Sequence, residues 1–242
     1  MNRQLIEALL DPERYRHPVE TVEKIETHIS WVLLAGEFVY KIKKPLDLGF
    51  LDFSTLEKRR FYCREEIRLN RRTAPELYLE VVAISGTPEN PVLDSEGKTI
   101  EYAVKMRRFD TQAGFDRLLA DERLEHQHII DLGCRLAELH RIAEVAPPDS
   151  RFGSFDDVAG PMRDNFTDLE RMLTGDRRSR LSGLNQWTGR ELERLTPLLE
   201  KRQRDGFTRE CHGDAHLGNV ALVDGRATLF DCIEFSEDLR WI

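Results

Sequence analysis

The sequence His-Gly-Asp-Ala-His-Leu-Gly-Asn occupies residues 212–219 and places several polar side chains directly before an apolar segment. That segment consists of two short apolar runs, residues 220–223 and 227–230, on either side of Asp224-Gly225. An Asp-Gly pair between apolar runs is the strongest short-range signal for a β-hairpin. The sequence therefore predicts a hairpin that begins where the polar stretch ends.

The register of this hairpin brings an amide and a carboxylate together. A two-residue turn, counted back from Asp224-Gly225, places Asn219 opposite Phe230 and beside Asp231. Oxygen ligands of this kind suit Mg²⁺, which keeps several waters and takes its other ligands from carboxylates and substrate phosphates. The spacing therefore predicts a magnesium site made by Asn219 and Asp231. Which face of the hairpin each side chain uses stays open, because a slip of one residue reverses it.

The pattern His-Gly-Asp-x-His-x-x-Asn followed by Leu-Phe-Asp resembles the catalytic loop and metal-binding aspartate of the aminoglycoside phosphotransferase and choline kinase superfamily, relatives of the protein kinases. More narrowly, the chain resembles the N-terminal domain of bacterial bifunctional aminoglycoside phosphotransferase/ATP-binding proteins. In that family's loop the aspartate five residues before the asparagine is the catalytic base, which here is Asp214. The resemblance thus implies three catalytic residues, Asp214, Asn219 and Asp231. Choline-kinase-like members often have Asp-Phe-Glu after the strand, whereas this chain has Asp-Cys-Ile-Glu, so a metal-binding role is not carried over to Glu234.

The resemblance also implies the fold, an α+β, protein kinase-like arrangement of two lobes. Residues 1–105 would form an N-lobe with a five-stranded antiparallel sheet and one helix. Residues 106–242 would form a mostly helical C-lobe that carries the catalytic hairpin and is incomplete at its C-terminus.

Residues 24–44 predict the first three strands of this sheet, joined by tight turns. In a kinase-like N-lobe the third strand carries the lysine that pairs with the nucleotide phosphates. The resemblance places Lys41 in that role, with Lys43 as the alternative because it follows two residues later on the same face. A second interpretation is that both are edge-strand lysines that discourage aggregation. The partner glutamate in the following helix would be Glu66, with Glu65 as the alternative.

The nucleotide would contact two further segments. The chain has Glu-Thr-His-Ile-Ser at residues 26–30 where kinases have a glycine-rich loop, and there Ser30 is the candidate phosphate-binding residue or part of an ordinary polar turn. Residues 106–109 fall where kinases place the hinge that binds adenine, which makes Met106 and Phe109 candidate nucleotide contacts. Met106 fits the core equally well.

The other predicted elements are mostly helical. They are a helix at 56–73, strands at 78–84 and 99–106, helices at 111–120, 126–143, 161–173 and 187–204, and a solvated basic loop at 177–180. In the helix at 126–143 one apolar stripe predicts a core face. Its members are Ile129, Leu132, Leu136, Leu139 and Ile142.

The composition limits the class of protein. The 242 residues carry a formal net charge of −8, which argues against a nucleic-acid partner because that partner needs a basic face. We find neither an apolar run long enough to span a bilayer nor a charged-then-apolar leader, which predicts a cytoplasmic protein that does not bind membranes. The four cysteines have no metal-type spacing and are expected to be reduced thiols.

The leading hypothesis is transfer of the γ-phosphoryl group of ATP, with Mg²⁺, to a hydroxyl of a small molecule. The acceptor cannot be read from these residues, since "aminoglycoside" is only the family label. One alternative is a non-catalytic, kinase-like nucleotide-binding module that serves a larger protein, with a C-terminal P-loop domain absent from this chain. Another is a hydrolase in which His212, Asp214 and His216 bind a transition metal.

Overall fold

The computed structural model describes residues 2–242, apart from the side chain of Asn2. It is an α+β structure. The helices are α1 Asn2–Ala8, α2 Leu56–Asn70, α3 Phe115–Ala120, α4 His126–Ile142, α5 Phe155–Met172 and α6 Gly175–Arg204. The strands are β1 Val22–Glu26, β2 Ser30–Ala35, β3 Phe38–Lys43, β4 Tyr78–Gly86, β5 Pro91–Leu93, β6 Thr99–Arg107, β7 Val220–Val223 and β8 Arg226–Leu229.

The main sheet has six strands, not the five that the sequence predicted. Its order is β1-β2-β3-β6-β4-β5, and every neighbouring pair is antiparallel. The missed strand is β5, which begins at Pro91 and lies at the edge of the sheet. Proline at the start of a short edge strand costs no ladder hydrogen bond, although in a sequence it favours a loop. The order also places β3 in the interior, so the interpretation of its lysines as edge-strand residues is wrong.

Helix α2 lies against the sheet and ends earlier than predicted. The Thr55 hydroxyl accepts a hydrogen bond from the Lys58 N–H at 3.2 Å, which caps the N-terminus. The buried side chains of Cys63 and Ile67 pack in one apolar cluster with residues of β3, β4 and β6. The helix stops at Asn70 because residues 71–73 tighten into a turn.

The helix predicted at 111–120 is two elements. Residues 111–113 form one 3-10 turn, capped by the carboxylate of Asp110, and α3 begins only at Phe115. The predicted core stripe of α4 is also narrower than expected. Leu139 is buried and two other members are partly buried, whereas Ile129 and Ile142 are 43% and 51% exposed. Only the middle of that stripe reaches the cluster around Phe115.

The basic loop predicted at residues 177–180 is wrong, because these residues lie inside α6 and are exposed. Arginine is a good helix former, so a solvated arginine run need not interrupt a helix. Helix α5 begins at Phe155, six residues before the predicted start. The Ser154 hydroxyl caps it by accepting a hydrogen bond from the Asp157 N–H at 3.2 Å.

The chain divides into two compact units. One runs to Leu139 and includes residues 214–236, and the other comprises residues 140–213 and 237–242. The main sheet, α2 and the β7–β8 hairpin all belong to the first unit. The predicted division into lobes after residue 105 remains a prediction. Among residues 2–242, none of the helices combines the length and the apolar character needed to cross a membrane.

Candidate active site

The β7–β8 hairpin has the predicted register. Val223 pairs with Arg226, and the Phe230 N–H donates a hydrogen bond of 3.0 Å to the Asn219 carbonyl. Asp224 and Gly225 have φ values of 50° and 75°. A two-residue hairpin turn of this type requires positive φ at both central positions, which explains the Asp-Gly pair. Local turn chemistry therefore places Asn219 next to the strand that leads to Asp231.

Both faces of the hairpin are buried within the first unit. Ala221 and Val223 pack in the apolar cluster that includes α2 and the main sheet. Val220, Ala227 and Leu229 pack in a second cluster with α3. The hairpin is therefore fixed to the sheet on one side and to α3 on the other, which fixes the position of the residues that follow β8.

Asp231 follows β8 in a left-handed backbone conformation, with φ of 60°. This conformation is unfavourable for most side chains, although aspartate tolerates it better than most. Two hydrogen bonds hold the backbone here. The Asp231 N–H donates to the Tyr78 hydroxyl at 3.0 Å, and the Cys232 N–H donates to Oδ1 of Asn70 at 2.9 Å. The Asp231 side chain remains 43% exposed.

Lys41, Glu66 and Asp231 meet in one place. The Lys41 ammonium lies 2.9 Å from Oε1 of Glu66 and also contacts Oδ1 of Asp231. The other oxygen of Glu66 lies 2.6 Å from the ammonium of Lys43, and Lys43 in turn contacts Glu234. Glu66 therefore bridges the two lysines that the sequence could not tell apart.

The pKa values reflect this pairing. Burial acts to lower the pKa of Lys41, but the carboxylates of Asp231, Glu66 and Glu234 outweigh it and raise the pKa well above its ordinary value. Burial acts to raise the pKa of Glu66, but Lys41 and Lys43 outweigh it and lower the pKa to about 2. Lys41 and Glu66 are therefore both charged at neutral pH.

The lining of a cavity distinguishes the two lysines. A cavity of about 910 Å³ borders β1–β3, Met106, Phe109 and the residues on either side of the hairpin. Lys41 lines it, whereas the side chain of Lys43 is fully buried and does not. A volume of this order is typical of small-molecule and cofactor sites. Glu65, the alternative to Glu66, instead pairs with Arg68 on the same helix at 2.8 Å.

Asp214 lines the same cavity and is held by Asn219. The Asn219 amide nitrogen donates to the Asp214 carbonyl at 3.0 Å and to its Oδ2 at 3.1 Å. Both hydrogen bonds use the nitrogen of the amide, so the amide oxygen of Asn219 is left to accept or to coordinate. Nδ1 of His216 accepts a hydrogen bond from the Gly218 N–H at 3.0 Å, which braces the loop. Asp214, His216 and Asp231 line the cavity, and the buried Asn219 does not.

The candidate nucleotide contacts differ in position. Met106 and Phe109 both line the cavity, and Met106 is also buried in the apolar cluster of α2 and the main sheet, so its position is compatible with a core role and with a nucleotide contact. The Phe109 ring packs on that of Phe230, with centroids 5.2 Å apart. Ser30 is fully buried and does not line the cavity, whereas Thr27 and His28 of the same turn do. The predicted contact of Ser30 with the nucleotide therefore gains no support from its position.

Sequence reasoning missed the contacts of four residues that hold the site. Tyr78 and Asn70 support the backbone of residues 231–232, and neither carries a motif that points to this role. Lys43 was weighed only as a substitute for Lys41, whereas the structure gives both lysines separate contacts. Glu234 was noted three residues after Asp231, but nothing in the sequence pointed to its contact with Lys43.

The described residues form no metal-binding cluster that would support the transition-metal alternative. Within residues 2–242, no three or more His, Cys, Asp and Glu side chains are grouped so that they could hold a metal ion. The set of His212, Asp214 and His216 therefore does not form such a group. The His216 Nε2 lies 3.5 Å from Oδ2 of Asp214.

The chain is similar to proteins of two mycobacteria. It is 28% identical over 235 residues to the uncharacterized protein Rv2004c of Mycobacterium tuberculosis (strain H37Rv) and to the uncharacterized protein Mb2027c of Mycobacterium bovis. Each alignment covers 93% of this chain and 45% of the relative, so the chain spans less than half the length of these proteins.

A comparison with solved structures found the aminoglycoside phosphotransferase APH(4)-Ia, with a TM-score of 0.47 and 15% sequence identity. The alignment covers 98% of this chain and 72% of that one. No protein-family model matches the chain.

Proposed function

We propose that this chain is an ATP-dependent phosphotransferase of the kinase-like type, which moves the γ-phosphoryl group to a hydroxyl of a small molecule. The observation that supports this most strongly is the convergence of Lys41, Glu66 and Asp231 at the wall of a large cavity that Asp214 also lines. A strand lysine, a helix glutamate and an aspartate after a hairpin are the parts that kinase-type phosphoryl transfer uses.

The residues present fit a magnesium ion. Asp231 offers a half-exposed carboxylate at the cavity, and the hydrogen bonds of Asn219 leave its amide oxygen available. Both are oxygen donors, which is the ligand type that Mg²⁺ prefers. Asn219 and Asp231 would therefore hold the ion, with Asp231 at the cavity wall and Asn219 buried behind it. When bound, Mg²⁺ would neutralise charge on the phosphates and orient the transferred group.

The remaining chemistry belongs to the chain itself. Lys41 would bind the nucleotide phosphates, and Glu66 would keep its ammonium in place. Asp214 would accept the proton of the acceptor hydroxyl, with Asn219 fixing the orientation of the Asp214 carboxylate. Such catalysis depends mainly on placement and on charge stabilisation rather than on covalent steps.

The apolar part of the cavity fits the nucleotide base. Its walls include Val39, Met106 and Phe109. In the predicted hinge, the Arg107 N–H donates to the Leu77 carbonyl and the Arg108 N–H to the Glu37 carbonyl, both at 2.8 Å. These two amides are engaged by backbone carbonyls that lie just before β4 and β3. We therefore assign the backbone of Phe109, next along the chain, as the group that hydrogen-bonds the base.

A second candidate function is a nucleotide-binding module without catalysis. It is favoured by the ion pair of Lys41 with Asp231. In the reaction both side chains would have to bind Mg·ATP, whereas here they bind each other. The chain also lacks a glycine-rich loop between β1 and β2. In this case the module would serve the longer protein, including the P-loop domain that the sequence resemblance implies.

A two-stage experiment separates these functions. Thermal unfolding is measured with and without Mg·ATP, and the full-length protein is then assayed for ADP release with a panel of small-molecule hydroxyl acceptors. If the chain is an enzyme, Mg·ATP should raise its melting temperature, and ADP release should depend on one class of acceptor. Stabilisation without turnover by any acceptor supports the module, and no stabilisation rejects both. We place either activity in the cytoplasm, where ATP is abundant, with no nucleic-acid or membrane partner.

A further inference from the structure

Lys43 is a second buried lysine for which the proposed reaction has no use. It follows Lys41 by two residues on β3, and its side chain is fully buried. Its ammonium lies 2.6 Å from Oε2 of Glu66, contacts Oε1 of Glu234 and sits 4.8 Å from the ring centroid of Phe53. A buried ammonium is costly unless it is paired, and this one has two carboxylate partners.

The two lysines form one continuous series of charges. Its order is Asp231, Lys41, Glu66, Lys43 and Glu234, with each neighbouring pair in contact. The two ends of the series lie three residues apart in the chain. The series therefore joins β3 to α2 and joins both to the segment 231–234. Asp231, Lys41 and Glu234 line the cavity, whereas the fully buried Lys43 does not.

Binding of an anion would act on the series through Lys41, because Lys41 lines the cavity and Lys43 does not. Lys41 contacts Asp231, and its ammonium must turn toward the phosphates if a nucleotide enters. That exchange removes one of the ties between β3 and the segment that carries Asp231. Lys43 does not line the cavity, so its contacts with Glu66 and Glu234 persist through the exchange.

We infer that Lys43 is a positioning residue, which holds Glu66 and Glu234 in place while Lys41 leaves Asp231 for a bound phosphate. The identity of that anion rests on the proposed function, whereas the hold on segment 231–234 is a property of the chain itself. Asp231 has a left-handed backbone conformation, which is less favourable than the usual ones and is stabilised by its surroundings. The tie from Lys43 to Glu234 helps to supply that restraint.

The test requires a variant that stays folded. Lys43→Met alone removes one ion-pair partner from each of two buried carboxylates, Glu66 and Glu234. Removing one partner of a buried ion pair is strongly destabilising. The double variant Lys43→Met/Glu234→Leu removes both charges of one pair, and such apolar replacements are often neutral for stability. Its matched control is Lys105→Met/Glu80→Leu, which removes a pair of 3.1 Å between neighbouring strands at the surface.

The first readout needs no nucleotide. Native-state hydrogen exchange is followed at the backbone amides of Asp231 and Cys232, which donate to Tyr78 and Asn70. In the double variant we expect exchange at these two amides to rise about tenfold, with the melting temperature and the hairpin amides unchanged. The control variant should match the wild type. Unchanged exchange at residues 231 and 232 in the double variant would overturn the inference.

The second readout separates positioning from general stability. We expect the double variant to lose about 10-fold to 100-fold in kcat, because Asp231 is misplaced, with little change in KM for ATP, because Lys41 remains. If the double variant keeps the wild-type kcat, or loses kcat only together with a lower melting temperature, Lys43 is only structural and the inference fails. If the wild type itself shows no turnover, the proposed function fails, and the exchange measurement alone decides the role of Lys43.

Discussion

Lys41 and Asp231 lie 190 positions apart in the sequence, and their side chains form an ion pair at the wall of the cavity. The proposed reaction needs Lys41 to bind the phosphates and Asp231 to bind the metal. The pair therefore keeps the two side chains close together before a nucleotide enters. Nucleotide binding must exchange this contact for two new ones.

Replacement of Lys41 should remove activity without unfolding the protein. In Lys41→Met, Glu66 keeps its contact with Lys43, so the buried carboxylate retains a partner. We expect the phosphoryl-transfer rate to fall by roughly 10²- to 10³-fold, the typical cost of removing one charge-stabilising donor. Steady-state kinetics with Mg·ATP measures this. Lys105→Met, on β6, is the control and should retain wild-type kinetics, while a Lys41→Met enzyme of normal activity would exclude this lysine from the site.

Asp214 should matter for chemistry but not for nucleotide binding. In Asp214→Asn the side chain can no longer accept the proton of the acceptor, so we expect turnover to fall by about 10²- to 10⁴-fold. The affinity for Mg·ATP, measured by calorimetry, should stay within error of the wild type. The same change at Asp224, an exposed residue of the hairpin turn, is the control. Equal losses in affinity and turnover for Asp214→Asn would contradict the assignment as a base.

The Tyr78 hydroxyl should stabilise the fold through a single hydrogen bond. It accepts from the Asp231 N–H, so Tyr78→Phe leaves that backbone amide without its partner. The expected loss in the free energy of unfolding is about 1–3 kcal/mol, measured by urea denaturation. Tyr102→Phe on the neighbouring β6 is the control and should cost less. An unchanged unfolding free energy for Tyr78→Phe would show that this hydrogen bond does not contribute.

The stability of the first unit should fall at acid pH because of Glu66. Its pKa is lowered from 4.5 to about 2 in the folded protein. A carboxyl with a depressed folded pKa contributes stability that is present above its unfolded pKa and is lost as pH falls through its folded pKa. The contribution of Glu66 should therefore decline between pH 4.5 and about 2.

Glu66→Gln isolates this effect. Urea unfolding curves of the variant, recorded across the same acid range, should have a smaller pH dependence than those of the wild type. The control is Glu65→Gln, which should retain the wild-type slope because its partner, Arg68, is on the partly exposed side of α2. Parallel pH profiles for the wild type and Glu66→Gln would refute the pairing with the lysines.

The features that the sequence predicted well depend on short-range chemistry. Asp224-Gly225 determines the turn of the hairpin, and the turn determines that Asn219 faces Phe230. Positive φ at both residues is required by the turn itself, so no distant contact is needed to foresee it. The hairpin and its register were therefore accessible from four residues on each side.

The features that the sequence did not predict depend on long-range contacts. The contact of Lys43 with Glu234 joins residues 191 positions apart, and no local pattern distinguishes Lys43 from Lys41. The arginine run at 177–180 reads as a loop because it is solvated, although solvation and helix formation are compatible. The edge strand β5 was not predicted because it begins at Pro91. Proline is excluded from central strands but not from the ends of edge strands.

The most direct test of the central claim is the affinity for Mg·ATP of the wild type, Asp231→Ala and Asp224→Asn, measured by isothermal titration calorimetry. Asn tolerates the positive φ that the hairpin turn requires at position 224, so the site described here predicts that the wild type and Asp224→Asn bind Mg·ATP equally well and that Asp231→Ala has lost detectable binding. Equal affinity of the wild type and Asp231→Ala would contradict the assignment of Asp231 to the metal and with it the proposed phosphotransferase site.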